Sequence, residues 1–144
     1  MGRNHVRVYS EQKEVGTTYI YDLNADTAGE VAAATGAEVC RSMEELLRKA
    51  ECVSVCVPAP YRFTAIEQVL AAGVHLLIEK PLCLTSRECE EVLKRIPEGL
   101  TVGVGHIERF NPVVAEIARV VRDPVYVSFH RHNPASSRVS GSSV

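Results

Sequence analysis

Short apolar runs alternate with longer amphipathic stretches along most of this 144-residue chain. Cys52-Val53-Ser54-Val55-Cys56-Val57 and Val74-His75-Leu76-Leu77-Ile78 are four-to-six-residue runs of the kind that form strands covered on both faces. Residues 15–22, 37–40, 100–105 and 125–129 give four further expected strands. Between them lie expected helices over residues 25–35, 43–49, 63–72, 86–95 and 112–121. The opening residues 1–9 read as a helix with no strand before it. Strands alternating with helices at this spacing predict an α/β fold with a parallel sheet and flanking helices. The Ser-rich residues 133–144 have no clear period and are left unassigned.

Local signals sharpen the boundaries. Gly36 and Gly73 stand where helix C-caps are expected. Ser42 with Glu45, and Thr85 with Glu88, have capping-box spacing. Pro58-Ala59-Pro60 and Pro81 read as strand stops, because proline donates no ladder hydrogen bond. Pro112 suits the first position of a helix.

Composition then narrows the classes. The formal net charge is −2, which gives no basic face for nucleic acid. The apolar runs are too short to span a bilayer, and nothing resembles a signal peptide. The five cysteines have neither C-x-x-C nor Cys/His ligand spacing. They are expected as reduced thiols, mostly buried, in a cytoplasmic protein without a metal site.

In a parallel sheet the C-terminal strand ends lie along one edge, where open sheets bind ligands. The residues that follow the strands here are Asp22, then Pro58 with Arg62, then Glu79-Lys80-Pro81, then His106 with Arg109. Asp22 reads either as an acceptor for ribose hydroxyls or as a helix cap, a role better suited to Asn24 or Asp26. Glu79 and Lys80 are either a surface ion pair or an acid and a base delivered to a site. A lysine so placed can exchange a proton with a substrate hydroxyl. Pro81 makes a cis Lys80–Pro81 bond accessible. His106 is either structural or catalytic. His5, His130 and His132 lack such support, and His75 is expected to be buried or paired in its strand. Arg131 and Arg138 are either anion ligands or solvated.

These residues resemble the glucose-fructose oxidoreductase, inositol dehydrogenase and rhizopine catabolism (Gfo/Idh/MocA) family of oxidoreductases. The resemblance is carried by Met1-Gly2-Arg3-Asn4-His5, Asp22, Val57-Pro58, the run from Gly73 to Pro81, and Gly105-His106-Ile107-Glu108-Arg109-Phe110-Asn111-Pro112. Within the family the chain looks most like the UDP-N-acetylglucosamine 3-dehydrogenases. The resemblance implies a Rossmann-like NAD(P)-binding domain over residues 1–121 and the start of a substrate and oligomerisation domain over 122–144. It implies a sugar, nucleotide-sugar or cyclitol substrate and a homo-oligomer, while the ribose role of Asp22 predicts NAD over NADP, and charge and run length predict neither a nucleic-acid nor a membrane partner. By analogy, Lys80 and His106 are the catalytic candidates. Met1, Gly2 and Arg3 would lie at the pyrophosphate, Asp22 at the adenosine ribose, and Pro58, Arg62, Glu79 and Lys80 around the nicotinamide.

Three departures qualify this. The family pattern opens with a strand and G-x-G-x-x-G, of which only the last part is present here. Many members place a histidine where this chain has Arg62, which puts a cofactor contact there in question. The family's Asp-x-x-x-His segment is not reached. The expectation is therefore a sheet lacking its first strand, in a truncated product whose gap is closed by rearrangement or by a partner. The rival expectation is a catalytically inactive binding or assembly module; weak or no NAD binding is expected of this chain, because the glycine turn that admits the pyrophosphate is not present.

Overall fold

A computed structural model describes residues 1–128 and residue 130. Phe129 and residues 131–144 fall outside it, and with them Arg131, His132, Arg138 and the unassigned tail.

The elements follow the expected alternation. In order they are α1 (Gly2–Glu11), β1 (Tyr19–Ile20), α2 (Ala25–Thr35), β2 (Glu38–Val39), α3 (Met43–Lys49), β3 (Cys52–Val55), α4 (Ala59–Ala71), β4 (His75–Ile78), α5 (Ser86–Lys94), β5 (Val102–Val104), a 3-10 turn (Ile107–Phe110) and α6 (Pro112–Val120). The described residues divide after His106 into two compact units. The second contains the 3-10 turn and α6.

Cap chemistry explains most helix ends. Asn24, not Asp22 or Asp26, caps α2 by accepting the Thr27 N–H at 3.1 Å. Gly36 closes α2 at φ 75° and Gly73 follows α4 at φ 69°, a backbone region that favours glycine. Thr85 and Glu88 form a complete capping box on α5. The Ser42 box is only half formed: Ser42 accepts the Glu45 N–H, but the Glu45 carboxylate accepts the Arg41 N–H instead.

Two expectations fail for clear reasons. Pro60 does not stop the chain before α4; it lies inside the first turn, where a missing N–H removes no helical bond. Val125 and Tyr126 form no strand and are 103% and 84% exposed, because a strand exists only where a neighbouring strand accepts it.

Among the described residues all strand pairing is parallel. The strands form two separate ladders, β1–β2 and β3–β4–β5. In the first, the Glu38 and Cys40 N–H groups donate to the Thr18 and Ile20 carbonyls. Parallel ladders alternate direction, so the Tyr19 and Tyr21 backbone faces the other way. In the second, His75 and Glu79 donate to Glu51 and Val55. The backbone of Cys52, Ser54 and Cys56 is therefore turned from β4. No ladder joins β1 to β3, so the described strands do not rearrange to close that seam. α1 packs against both α2 and β3 yet has no buried residue.

The core lies under α4 and α5. Val55, Ile66, Val69, Leu70, Val74, Leu76, Ile78, Cys83 and Val92 form one buried cluster. Ile66 and Ile78 are fully covered, each worth about 1.5–3 kcal/mol in apolar burial.

Candidate functional site

The second ladder brings three strand ends to one edge. β3 and β4 pair in register through Val55 and Ile78, and β4 and β5 through Ile78 and Val104. The turn after β3, the Glu79-Lys80-Pro81 turn after β4, and Gly105-His106 after β5 are therefore neighbours. Asp22 follows β1 and belongs to the other ladder.

Glu79 is the anchor of this edge. It is 6% exposed. Its Oε1 lies 2.8 Å from Nε2 of His5, and its Oε2 accepts the Lys80 N–H at 3.2 Å. Its own N–H donates to the Val55 carbonyl at 3.1 Å, tying it to β3. Gly105 lies alongside: a Cβ there would stand 3.6 Å from the Glu79 carboxylate. With its acid so engaged, Glu79 forms no ion pair with Lys80. The Lys80 side chain is exposed, and no described residue partners its amine. The Lys80–Pro81 bond is cis.

Arg62 is buried, at 5% exposure. Its Nη2 donates to the Val57 carbonyl at 2.6 Å, and its Nη1 donates to the Pro81 carbonyl. Burial holds the guanidinium below its ordinary pKa, and the nearby Glu79 charge opposes that. Two thiols feel the same dry surroundings. Burial pushes Cys56 up to about 11, with the Glu79 charge adding to the effect. Burial likewise pushes Cys83 up to about 11, with Cys89 beside it contributing.

The other expected residues are more open. Pro58 is exposed and is the N-cap of α4. His106 is exposed, and its N–H donates to the Val104 carbonyl at 2.7 Å. Asp22 is exposed, and its Oδ1 accepts the Asn24 N–H at 2.9 Å. Met1 is 61% exposed. Gly2 approaches the end of β3, where an added Cβ would stand 3.7 Å from the Cys56 Cβ. Arg3 is paired with Glu30 on the surface. Arg109 lies in the 3-10 turn of the second unit.

Some of the chemistry escaped the sequence reading. His5 has no role legible in the sequence, yet it holds Glu79. Its one local signal is the i, i+4 spacing with Tyr9, whose hydroxyl lies 2.5 Å from Ser54 Oγ on β3. His75 meets its expectation by pairing rather than by burial: it is exposed, and its Nδ1 accepts the Thr101 N–H at 3.0 Å. Of the five free cysteines, only Cys40 and Cys83 are buried, and Cys52 is exposed.

The comparisons with known proteins bear on this geometry. A family model described as "Oxidoreductase family, NAD-binding Rossmann fold", that of the Gfo/Idh/MocA proteins, matches residues 1–106. The chain belongs to the Gfo/Idh/MocA oxidoreductase family. A UDP-N-acetylglucosamine 3-dehydrogenase of Acidithiobacillus ferrooxidans is 31% identical over 140 residues, covering 96% of this chain and 44% of that protein. Its crystal structure superposes with a TM-score of 0.74 at 32% identity, covering 83% of this chain and 39% of that one. A galactose 1-dehydrogenase of Pseudomonas fluorescens is 38% identical over 63 residues, covering 42% of this chain and 21% of that protein. The chain thus spans less than half the length of the curated relatives it matches.

A dinucleotide of the Gfo/Idh/MocA type can be tested against the residues present. The acid after β1 is exposed, with one oxygen on its own turn. The lysine after β4 is exposed and free of ion pairs among the described residues. The first residue of α1, Gly2, whose N–H has no acceptor within the helix, lies next to the end of β3. These features fit a dinucleotide. The described residues contain no group of His, Cys, Asp and Glu able to hold a metal, and no helix long and apolar enough to cross a membrane.

Proposed function

We propose that this chain forms the dinucleotide-binding part of an NAD-dependent dehydrogenase acting on a secondary hydroxyl of a sugar, nucleotide sugar or cyclitol. The observation that carries the reading is the exposed Lys80 amine, presented on a turn whose preceding residue, Glu79, is buried and bonded on both oxygens.

Asp22 receives the adenosine ribose hydroxyls and repels a 2′-phosphate, which favours NAD over NADP. Met1 and the first N–H groups of α1, at Gly2 and Arg3, meet the pyrophosphate. Pro58 and Glu79 line the nicotinamide side. Lys80 exchanges a proton with the substrate hydroxyl, and His106 stands at the adjacent strand end as a second proton-handling group. When bound, the nicotinamide supplies or accepts the hydride. The reading includes a homo-oligomer in a cytoplasmic setting, in keeping with five free thiols.

The second reading is a binding or assembly module without activity of its own. The open seam beside β3 favours it, since a site resting on an unpaired strand edge is less rigid. Calorimetric titration of the chain with NADH and NADPH separates the two. Stoichiometric NADH binding, tighter than that of NADPH, is expected from the first reading. Absence of heat at millimolar NADH favours the second.

A further inference from the structure

Arg62 is an unusual residue to bury. It sits in the first turn of α4, at i, i+4, i+7 spacing with Ile66 and Val69, both fully covered. Taking a guanidinium out of water is costly unless its donors are met. Among the described residues no carboxylate bonds it directly. Two of its nitrogens bond carbonyl oxygens instead, and the third, Nε, is buried without a partner among the described residues.

The two carbonyls identify the role. Val57 follows β3 and Pro81 follows β4, and those strands are paired neighbours. One planar fork therefore latches the ends of two adjacent strands together, a task that needs two donors in fixed geometry. The Glu79 carboxylate, one residue before Lys80, is close enough for its charge to act on Arg62. A buried cation bound to carbonyls beside a buried acid holds the whole Glu79-Lys80-Pro81 turn at a set position.

We propose that Arg62 is a positioning residue for Lys80: by bonding the Val57 and Pro81 carbonyls it fixes the turn that carries the amine, and it makes no contact with cofactor itself. This rests on reading that turn as the nicotinamide-side site.

The test is amide hydrogen exchange on the full 144-residue chain, comparing the native protein with Arg62→Met and Arg62→Lys. Arg62→Lys retains the charge opposite Glu79 but not the fork, so it serves where Arg62→Met fails to fold. At least tenfold faster exchange at Glu79 and Lys80 is expected in both variants, with Leu76–Ile78 and the α5 cap at Leu84 and Thr85 unchanged. A third variant, Arg62→Ala, is expected to exchange fast at the same two amides and to regain slow exchange in millimolar ethylguanidinium; no recovery would overturn the proposal. Native exchange at Glu79 and Lys80 in Arg62→Lys would overturn the proposal, as would faster exchange spread through β3, β4 and β5. NADH titration of the native chain is read separately. If it shows no binding while the local exchange result stands, the dehydrogenase reading fails and the latch survives.

Discussion

Glu79 illustrates how far single residues depend on distant partners. Its bond to His5 joins α1 to the end of β4 across 74 positions of sequence. A hydrogen bond to a charged buried group contributes about 1.5–3 kcal/mol, mostly as the penalty for leaving that group unmet. His5→Ala is therefore expected to lower stability by about 2 kcal/mol in urea unfolding. A loss within error would show that Glu79 is satisfied without His5. The thiols give a pH test. Cys56 and Cys83 hold their protons to about pH 11 when folded, against an ordinary value of 9.0. Between those values the unfolded chain has released protons that the folded chain keeps, so stability falls as pH rises from about 9 to about 11. Below pH 9 this contribution is fully present. Alkylation at pH 8, followed by mass spectrometry, is expected to mark Cys52 well before Cys56 or Cys83. At this scale the sequence placed Lys80 and Asp22 after strands, where the structure finds both exposed. The burial of Arg62 and the role of His5 were hidden, because each depends on what packs opposite.

The elements are a more local matter. Thr85 and Glu88 satisfy each other within one turn, so the box could be read from four consecutive residues. Thr85→Ala is expected to cost about 1 kcal/mol of stability, measured by thermal or urea unfolding. Gly73→Ala forces a side chain into φ 69° and is expected to cost about 1–2 kcal/mol. Helices were legible because their bonds close over four residues and their caps are side chains nearby. Strands were less so. β1 is two residues, Tyr19–Ile20, where the apolar run suggested eight positions, and Val125-Tyr126-Val127 has the right composition but no ladder. A strand's length is set by its neighbour, and the neighbour is not written in the run itself.

At the scale of the whole molecule, the two ladders differ in support. β3, β4 and β5 share the buried cluster under α4 and α5. β2 is exposed at both positions, and β1 pairs on one side only. Amides in β1 and β2 are expected to exchange faster than those of Leu76–Ile78 by a factor of at least about 100, because local opening there breaks few buried contacts. Equal protection would show that the seam is not a weak line in the fold. The seam also bears on the site: Asp22 is carried by the weaker ladder and Lys80 by the stronger, so dinucleotide binding that spans both should slow exchange in β1 most.

The alternation of apolar runs and capped helices determined the α/β class, the parallel sense of the strands, and the delivery of Glu79, Lys80 and His106 to strand ends. Those follow from periodicity and backbone chemistry, which act over a few residues. Only the tertiary structure decided that the sheet is split between β1 and β3, that Glu79 is held by His5, and that Arg62 is buried as a fork between two carbonyls. Those outcomes depend on which surfaces exclude water together, and residues 57, 62, 79 and 81 meet only when α4 lies across the paired ends of β3 and β4.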